Sequence, residues 1–380
     1  MIILVYLDYA ASTPVDKRVL DKYYSTMLEC FANPNSSHRL GLLAKEKIDK
    51  ASLKIAKYFH IKPTEIIYTS GSSEANNLAI KGIAKRYKSY GKHILISSLE
   101  HNSIIASATS LQEEGFEIEL IPVNNKGYID IDILKEMIRE DTILVSVTSV
   151  DSEIGLRQPI EEIAKIIKEK KHCFFHTDAS QSIGKVDIDY EDVDLVTIAP
   201  HKFYGQLGIG LLIRKENVGL KPQIDGGKST TIYRAGTPDV AGIVAVSEAI
   251  EIALSNLDNR YKYIKNISEI IKEKLKKYDG VVINNTTNSI PHTINFSLKG
   301  LKAQQVAKLF SDHEIYVSAK TSCCPVATPS KLVYALTRDK SLATSSIRVS
   351  LSHLTTMDEV LEFLKVFDII YKECCSNGKI

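Results

Sequence analysis

The sequence predicts an α/β protein with a large domain, built on a mixed, mostly parallel sheet wound by helices, and a smaller α+β domain. Short apolar runs typical of buried strands alternate with helical patterns through the first two thirds of the 380 residues. This alternation is typical of parallel strands connected by helices on both faces of a sheet. A long helical stretch over 239–278 then precedes a second group of strands and helices, which predicts the smaller domain.

The predicted elements follow one another in chain order with few interruptions. The first part of the chain predicts helices over 16–28, 40–59, 70–89, 103–114, 131–138 and 160–170, and strands over 66–69, 93–96, 118–121 and 143–147. Beyond the long helix, the pattern predicts strands over 293–298, 315–317 and 347–351 and helices over 302–311 and 357–373. We expect residues 15–255 to form the large domain, and residues 1–14 and 256–380 to form the small one.

Composition and charge argue against several classes of protein. The chain is 44% hydrophobic and 25% charged with a net charge of +2, which is ordinary for a globular protein and too weak to steer it to nucleic acid. No apolar run approaches the length of a membrane span. The first twelve residues are apolar but carry no basic region, which favours a strand over a signal peptide. We therefore expect a cytoplasmic protein without nucleic-acid or membrane partners.

The six cysteines do not have the spacing of a metal site. They lie at positions 30, 173, 323, 324, 374 and 375, with no CxxC pair and no histidines at zinc spacing. Four of the cysteines form two adjacent pairs, at 323–324 and at 374–375, and adjacent cysteines are poor disulfide partners for each other. In a reducing compartment at least one of these thiols is a candidate for chemistry.

Two predicted strands deliver a carboxylate and a lysine to one edge of the sheet. Asp178 follows the apolar run at 173–175, and Lys202 follows the run at 195–198. Ligands of open α/β sheets bind at the carboxyl ends of strands. Such a pair suits pyridoxal 5'-phosphate (PLP), because the lysine binds the cofactor covalently and the aspartate keeps its pyridine nitrogen protonated. A simple surface pair is the alternative that spacing alone favours.

The residues around this pair resemble a known family. Asp178 and Gln181 belong to the string HxDxxQxxGK, and Lys202 belongs to the later string HKxYG. Both strings resemble the class V aminotransferases. Within that family they are similar to the cysteine desulfurases of the NifS/IscS type. The resemblance extends from LDYAASTP at residues 7–14 to the final helix. It implies the PLP-dependent transferase fold of the aspartate aminotransferase type (type I), and PLP as the cofactor.

The segment TSGSSEANN at residues 69–77 lies where a strand turns into a helix. Helix amino termini bind phosphate through free N–H groups and the helix dipole. A helix capped by serine is the alternative interpretation. The resemblance implies that Ser72 and Ser73 contact the PLP phosphate.

The resemblance assigns three further residues to the cofactor ring. His101 would stack on the pyridine and move protons, which suits a side chain that titrates near neutral pH. Gln181 would donate to the phenolic oxygen. Ser152 stands where the family has an asparagine that touches the cofactor and the substrate, and serine has a shorter reach.

The resemblance also implies roles at the lysine and at a subunit interface. His201 would help to hold the phosphate and Lys202 would carry the cofactor, while Ala199 replaces a family serine and loses one phosphate donor. Thr237, in RAGT, would donate to the phosphate of the neighbouring subunit. This last role implies a homodimer with shared active sites.

Substrate and sulfur chemistry are implied at the carboxyl-terminal end. Arg348 in SSIRVS would bind the substrate carboxylate through two parallel hydrogen bonds. Cys323 aligns with the family nucleophile, whose thiolate takes sulfur from L-cysteine as a persulfide and passes it to an acceptor protein, leaving alanine. Lys320 replaces a family glycine beside it, and Cys324 is an additional thiol. The polar stretch between Cys323 and Arg348 predicts a long catalytic loop.

Three functions stay open at this point. The first is a PLP-dependent cysteine desulfurase that supplies sulfur for iron–sulfur clusters, thio-cofactors or tRNA. The second is a selenocysteine lyase or another cysteine-directed C–S lyase, which the departures at Ser152, Ala199 and Lys320 leave possible. The third is a catalytically weak paralogue that binds sulfur-carrier proteins. The sequence predicts no metal site.

Overall fold

The computed structural model describes residues 4–227, 229–319 and 329–376, without the side chains of residues 375 and 376. Lys320, Cys323 and Cys324 therefore lie outside the described residues. The described strands are β1 (Val5–Tyr6), β2 (Ile66–Thr69), β3 (His93–Ser97), β4 (Glu117–Ile121), β5 (Thr142–Ser146), β6 (Phe174–Asp178), β7 (Leu195–Ile198), β8 (Gly210–Arg214), β9 (Val281–Ile283), β10 (Thr293–Leu298), β11 (Ile315–Tyr316) and β12 (Ser346–Ser350).

The helices lie between and around these strands. They are α1 (Lys17–Glu29), α2 (Arg39–Tyr58), α3 (Ser72–Tyr87), α4 (Asn102–Ser110), α5 (Ile131–Met137), α6 (Ile160–Lys168), α7 (Val240–Ser255), α8 (Leu257–Leu275), α9 (Ala303–Ser311), α10 (Lys331–Thr337), α11 (Lys340–Ser345) and α12 (Met357–Ser376). Three short 3-10 turns complete the described elements, over Pro63–Glu65, Leu111–Glu114 and Pro200–Lys202.

A seven-stranded sheet forms the centre of the molecule, in the order β2-β8-β7-β6-β5-β3-β4. Neighbours from β7 to β4 run parallel, and β8 runs antiparallel to both β7 and β2. Every residue of β5, β7 and β8 is buried, as expected for strands that are covered on both faces of the sheet. The carboxyl ends of β5, β6 and β7 therefore meet at one edge of the sheet, which confirms the predicted α/β fold.

A second apolar core lies around the antiparallel sheet β12-β10-β9 and the parallel pair β1-β11. Val5 and Leu7 pack in this core with residues from 264 to 374. The backbone N–H of Ser350 donates to the carbonyl of Leu7 at 2.7 Å, which joins the amino-terminal segment to β12. We propose that this core defines the small domain, and the boundaries at residues 15 and 255 stay predictions.

The prediction of one helix over 239–278 is wrong. The chain breaks at Asn256, whose backbone (φ −124°, ψ 20°) leaves the helical region, so α7 and α8 are separate helices with a bend of 64°. Asparagine favours such breaks because its side chain competes for backbone hydrogen bonds. Within the described residues, no single helix has the length and apolar character of a membrane crossing, although the bent pair α7 and α8 reaches them together.

The prediction of a long polar loop up to Arg348 is wrong for residues 331–345, which form α10 and α11. Leu332 and Val333 of α10 and Leu342 and Ala343 of α11 are buried in a small cluster with Ile154 and Leu156. The hydroxyl of Ser297 on β10 also donates to the carbonyl of Leu342, so α11 lies beside the smaller sheet. The sequence pattern also missed β8 and β9.

Candidate active site

One cavity of about 280 Å³ at the carboxyl edge of the main sheet brings together most of the predicted site residues. Its lining comprises Ala10, Ala11, Ser72, Ser73, Leu99, His101, Thr148, Val150, Ser152, Asp178, Ser180, Gln181, His201, Lys202 and Arg348. Nine of the predicted side chains, drawn from positions 72 to 348, thus meet in one space. The sheet creates this arrangement because β6 and β7 end side by side, pairing Asp178 with Thr197.

The carboxylate of Asp178 is buried and held by two donors. Asn76 Nδ2 donates to its Oδ2 at 2.8 Å, and the backbone N–H of Ser180 donates to its Oδ1 at 2.9 Å. Asn76 also donates to the hydroxyl oxygen of Ser103 at 2.9 Å. These two donors fix the orientation of the carboxylate at the wall of the cavity.

His101 caps α4 with its ring, because its Nδ1 accepts from the backbone N–H of Ser103 at 3.2 Å. The neutral ring with this contact carries its proton on Nε2. Burial lowers the pKa of His101, the nearby Asp178 carboxylate raises it, and Lys202 lowers it, with a net fall below the ordinary value. The ring is therefore a neutral imidazole at neutral pH and can accept a proton.

Lys202 lies in the 3-10 turn after β7, and its Nζ donates to the carbonyl oxygens of Ala10 and Ala11 at 2.8 and 2.7 Å. Ala10 belongs to the amino-terminal segment, which crosses the cavity. The Ala10 carbonyl also accepts from Gln181 Nε2 at 2.9 Å. The lysine and the glutamine therefore share one backbone acceptor.

Groups able to bind an anion lie at the amino terminus of α3. Ser72 and Ser73 begin this helix after Gly71, and both line the cavity. The first N–H groups of a helix lack partners within the helix and point along its axis. His201 lines the same cavity, and its pKa falls to about 4 because of burial and the nearby cations Lys202 and Lys185, opposed by Asp178. It is therefore a neutral donor or acceptor. The site thus offers backbone, hydroxyl and imidazole groups to a dianion.

Arg348 lies on β12 and is buried, with 2% of its side chain exposed. Its Nη2 donates to Asp8 Oδ1 at 2.7 Å and its Nη1 donates to the carbonyl of Ser152 at 2.8 Å. Ser152 occupies a turn that Asp151 organises, since the Asp151 carboxylate accepts from the backbone N–H groups of Glu153, Ile154 and Leu156. The guanidinium is thereby fixed at the edge of the cavity.

These groups are of the chemical types that a PLP site requires. An amine at Lys202, a carboxylate at Asp178 and helix-terminal donors at Ser72 and Ser73 share the cavity with the Arg348 cation. The comparison with known families agrees with this chemistry, because a family model described as Aminotransferase class-V matches residues 5–363. The chain belongs to the class V aminotransferase family.

Individual relatives indicate which members of the class V aminotransferase family this chain resembles. It is 37% identical over 374 residues to a "Cysteine desulfurase IscS" from Dictyoglomus turgidum, covering 97% of this chain and 95% of the relative. Among solved structures, a "NIFS-LIKE PROTEIN" superposes with a TM-score of 0.91 at 31% identity, over 97% of this chain and 99% of that one. The resemblance to NifS/IscS-type desulfurases is thereby confirmed.

A third comparison concerns a ligand. A solved structure titled "SspA in complex with cysteine" matches with a TM-score of 0.81 and 31% identity, covering 93% of this chain and 100% of that one. Cysteine is thus recorded in that related protein.

Among the predicted site residues that the structure describes, Thr237 lies outside the main cavity. Thr237 is exposed and lines a separate cavity of about 250 Å³ with Ser70 and Arg234. Arg234 Nε donates to Glu74 Oε1 at 3.0 Å, which fixes this segment beside the amino terminus of α3. Cys323 lies outside the described residues, so its role stays a prediction.

The sequence analysis missed four residues around the site, namely Asp8, Asn76, Glu100 and Lys185. Asn76 had a signal, since it lies four residues after Ser72 on the same face of α3. Glu100 is buried, and its Oε1 accepts from Ser97 Oγ at 2.8 Å and from the N–H of Thr148 at 2.6 Å. It ties the His101 segment to the strand end that also lines the cavity. Asp8 had no local signal, because its partner lies 340 residues away.

Proposed function

We propose that this chain is a PLP-dependent cysteine desulfurase that converts L-cysteine to L-alanine and passes the sulfur to an acceptor protein. The observation that carries this proposal is the meeting of Lys202, Asp178 and Arg348 in one cavity of about 280 Å³. An amine, a buried carboxylate and a guanidinium in that arrangement suit an amino acid substrate on a PLP cofactor. The relatives that bear the name cysteine desulfurase support the substrate and the reaction.

The described residues fit the cofactor at each of its ends. Ser72, Ser73 and His201 would hold the phosphate, Asp178 would hold the pyridine nitrogen and Lys202 would bind the aldehyde carbon. When bound, PLP supplies an electron sink that lets bonds to the substrate break. Gln181 would donate to the phenolic oxygen. Ala199 is buried and offers no hydroxyl, so the phosphate relies on the remaining donors.

The substrate would be oriented by Arg348. Two parallel N–H donors match the two oxygens of an amino acid carboxylate, which makes the contact directional. The solved relative that contains cysteine supports this choice of substrate. Neutral His101 would accept a proton at its ring and return it to the substrate carbon.

Sulfur would leave through Cys323. Its thiolate attacks the substrate sulfur, the carbon–sulfur bond breaks, and the electron pair stays on the substrate, which takes a proton to become alanine. The sulfur remains on Cys323 as a persulfide. An acceptor thiol would then take this sulfur. The acceptor protein and the cytoplasmic location predicted from the sequence stay predictions.

We also propose a homodimer. Leu20, Tyr24, Met27, Leu28 and Phe31 follow one another at helical spacing and leave 53% to 78% of their surfaces exposed. Exposed apolar stripes of this kind mark interaction surfaces. A second copy of the chain is the occupant that fits best. Thr237 lies outside the main cavity of its own subunit, and it would donate to the phosphate bound in the partner subunit.

Product analysis tests the proposed reaction. Purified protein with PLP and L-cysteine should release alanine and sulfide in equal amounts when a reducing thiol is present. Cys323→Ala should keep the visible absorption of bound PLP and reduce both products to background, while the matched Cys324→Ala should keep them. Full activity in Cys323→Ala would refute the nucleophile, and pyruvate in place of alanine would refute desulfuration. Activity with selenocysteine alone would favour the lyase alternative.

A further inference from the structure

Lys185 is a buried lysine beside the active-site cavity, and the proposed reaction gives it no role. It ends the HxDxxQxxGK string, and 8% of its surface is exposed. Its Nζ donates to Gln181 Oε1 at 2.5 Å. Lysine is almost never buried this deeply without a specific partner. Its partner here is the side chain proposed to contact the cofactor.

The amide of Gln181 is fixed at both ends. Its Nε2 donates to the Ala10 carbonyl, which can only accept, at 2.9 Å. The amide oxygen must then face Lys185, whose amine donates N–H in its charged and neutral forms alike. The amide nitrogen carries two hydrogens, and the contact with Ala10 uses one of them. Gln181 therefore presents an N–H group at the cavity that it lines.

The same contacts form a series of hydrogen bonds that reaches Lys202. Lys185 donates to Gln181, Gln181 donates to the Ala10 carbonyl, and Lys202 Nζ donates to that carbonyl at 2.8 Å. The series joins two lysines through one glutamine and one backbone carbonyl. A change at Lys185 is thus transmitted to the cavity by way of Gln181.

The environment of Lys185 favours its neutral form. Burial, together with the positive charges of Lys202 and Arg348, lowers the pKa of Lys185 to about 7. The titratable and charged groups that surround this amine and the small cavity beside it are Tyr9, Lys202, Tyr204, Arg260, His292, Arg348 and His353. These groups are cationic or neutral, so a further positive charge on Lys185 is disfavoured there while its N–H donors remain.

We infer that Lys185 is a positioning residue, which holds the Gln181 amide so that its nitrogen donates to the phenolic oxygen of the cofactor. This inference rests on the proposed function and adds a residue to that site. Donation to the phenolic oxygen stabilises its anionic form. Loss of the donor should therefore raise the pH at which the visible absorption of the bound cofactor changes.

A double-mutant cycle tests this inference without measuring activity. The visible absorption of PLP-bound protein is titrated with pH for the wild type, K185M, Q181L and K185M/Q181L. K185M and Q181L should each raise the midpoint by about one pH unit, the value of a hydrogen bond to a charged group. In the Q181L background K185M should add nothing, because Lys185 acts through the glutamine.

The outcomes separate three explanations. An unchanged midpoint in K185M overturns the inference. A shift that persists in the Q181L background also overturns it, because Lys185 would then act through its own charge. Wild-type protein that shows no visible absorption with PLP would refute the proposed function instead.

Control variants keep the test independent of folding. K272M removes a partly buried amine from α8, whose pKa is lowered by burial, and it should leave the midpoint unchanged. Where K185M does not fold, K185Q keeps a shorter N–H donor. Its shift should have the same sign, be smaller than that of Q181L, and disappear in the Q181L background. A K185Q shift equal in both backgrounds would refute positioning.

Discussion

The guanidinium of Arg348 lies 2.7 Å from the carboxylate of Asp8, so the cation proposed to bind the substrate already faces an internal anion. The substrate carboxylate must share Arg348 with Asp8 or displace it. Arg348 is buried, whereas 20% of the Asp8 side chain is exposed. The internal anion compensates the arginine charge, and we expect it to compete with the substrate carboxylate.

Asp8→Asn should lower the KM for L-cysteine several-fold, because Arg348 loses the anion that competes with the substrate while asparagine keeps an acceptor. Steady-state kinetics of sulfide release measure the change. Asp21→Asn is the matched control, since it removes an exposed carboxylate from α1 and should leave KM unchanged. A KM that rises in Asp8→Asn would show that Asp8 assists substrate binding.

Arg348→Lys should raise KM by roughly ten- to a hundredfold, the value of about 1.5–3 kcal/mol for a hydrogen bond to a charged group. Lysine keeps the positive charge and loses the two parallel donors. The same kinetic assay measures the effect. An unchanged KM would place the substrate carboxylate elsewhere in the cavity.

Asn76→Leu should weaken PLP binding by about tenfold or more, because the Asp178 carboxylate loses a hydrogen-bond donor that holds it in place. Equilibrium titration of the apoprotein with PLP measures the affinity. Asn77→Leu changes the next residue, which donates to the Ser73 carbonyl on an exposed side of α3, and it should bind PLP normally. Equal affinities in the two variants would contradict a role for Asn76.

Glu100 should make the folded protein less stable as the pH rises. Burial, with a smaller contribution from the Asp178 charge, raises the pKa of Glu100 to about 8 against the opposing hydrogen bonds from Ser97 and Thr148. An unfolded glutamate titrates near about 4.3. Between these values the folded state binds more protons, so this group contributes stability below about pH 4 that is lost as the pH rises through about 8.

Glu100→Gln should remove that contribution, which has a slope of about 1.4 kcal/mol per pH unit at most. Urea unfolding at several pH values between 5 and 8 measures the slope for each protein. Glu113→Gln changes an exposed carboxyl and should keep the wild-type slope. A wild-type slope in Glu100→Gln would show that another group titrates in this range.

A charge in the exposed apolar stripe formed by α1 and the residues just after it should separate the proposed dimer. Leu28 and Phe31 are 65% and 78% exposed, and burying an aspartate at either position in an interface is unfavourable. Light scattering of Leu28→Asp and Phe31→Asp should give the mass of a monomer. Leu361→Asp places the same charge at a 56% exposed position on α12 and should stay a dimer. Unchanged mass in all three would exclude this stripe as the interface.

The parts of the fold that the sequence predicted are those with strong local patterns. Continuous apolar runs such as Ile66–Thr69 and Leu195–Ile198 became buried strands at the predicted positions. The break at Asn256 was missed because one polar residue is common within helices, and its backbone is decided by how α7 and α8 pack. The order of β8 between β2 and β7 is likewise a tertiary property.

The site was predicted to a similar degree and for the same reason. Residues in contiguous strings, such as Asp178 with Gln181 and His201 with Lys202, carry their resemblance in their spacing. Lys185 belongs to the same string, but a lysine in a polar sequence normally indicates a surface position, and its burial depends on the fold. The contact of Asp8 with Arg348 joins opposite ends of the chain, and no local pattern encodes such a pair.

The amino-terminal segment links the second core to the catalytic lysine, since Val5 and Leu7 pack in that core and the carbonyls of Ala10 and Ala11 accept from Lys202. A protein shortened by its first eleven residues would lose a strand, the counterion of Arg348 and both acceptors of Lys202 at once. Tags and fusions should therefore be attached with a flexible spacer before Met1, so that this short segment keeps its contacts with the second core and with Lys202.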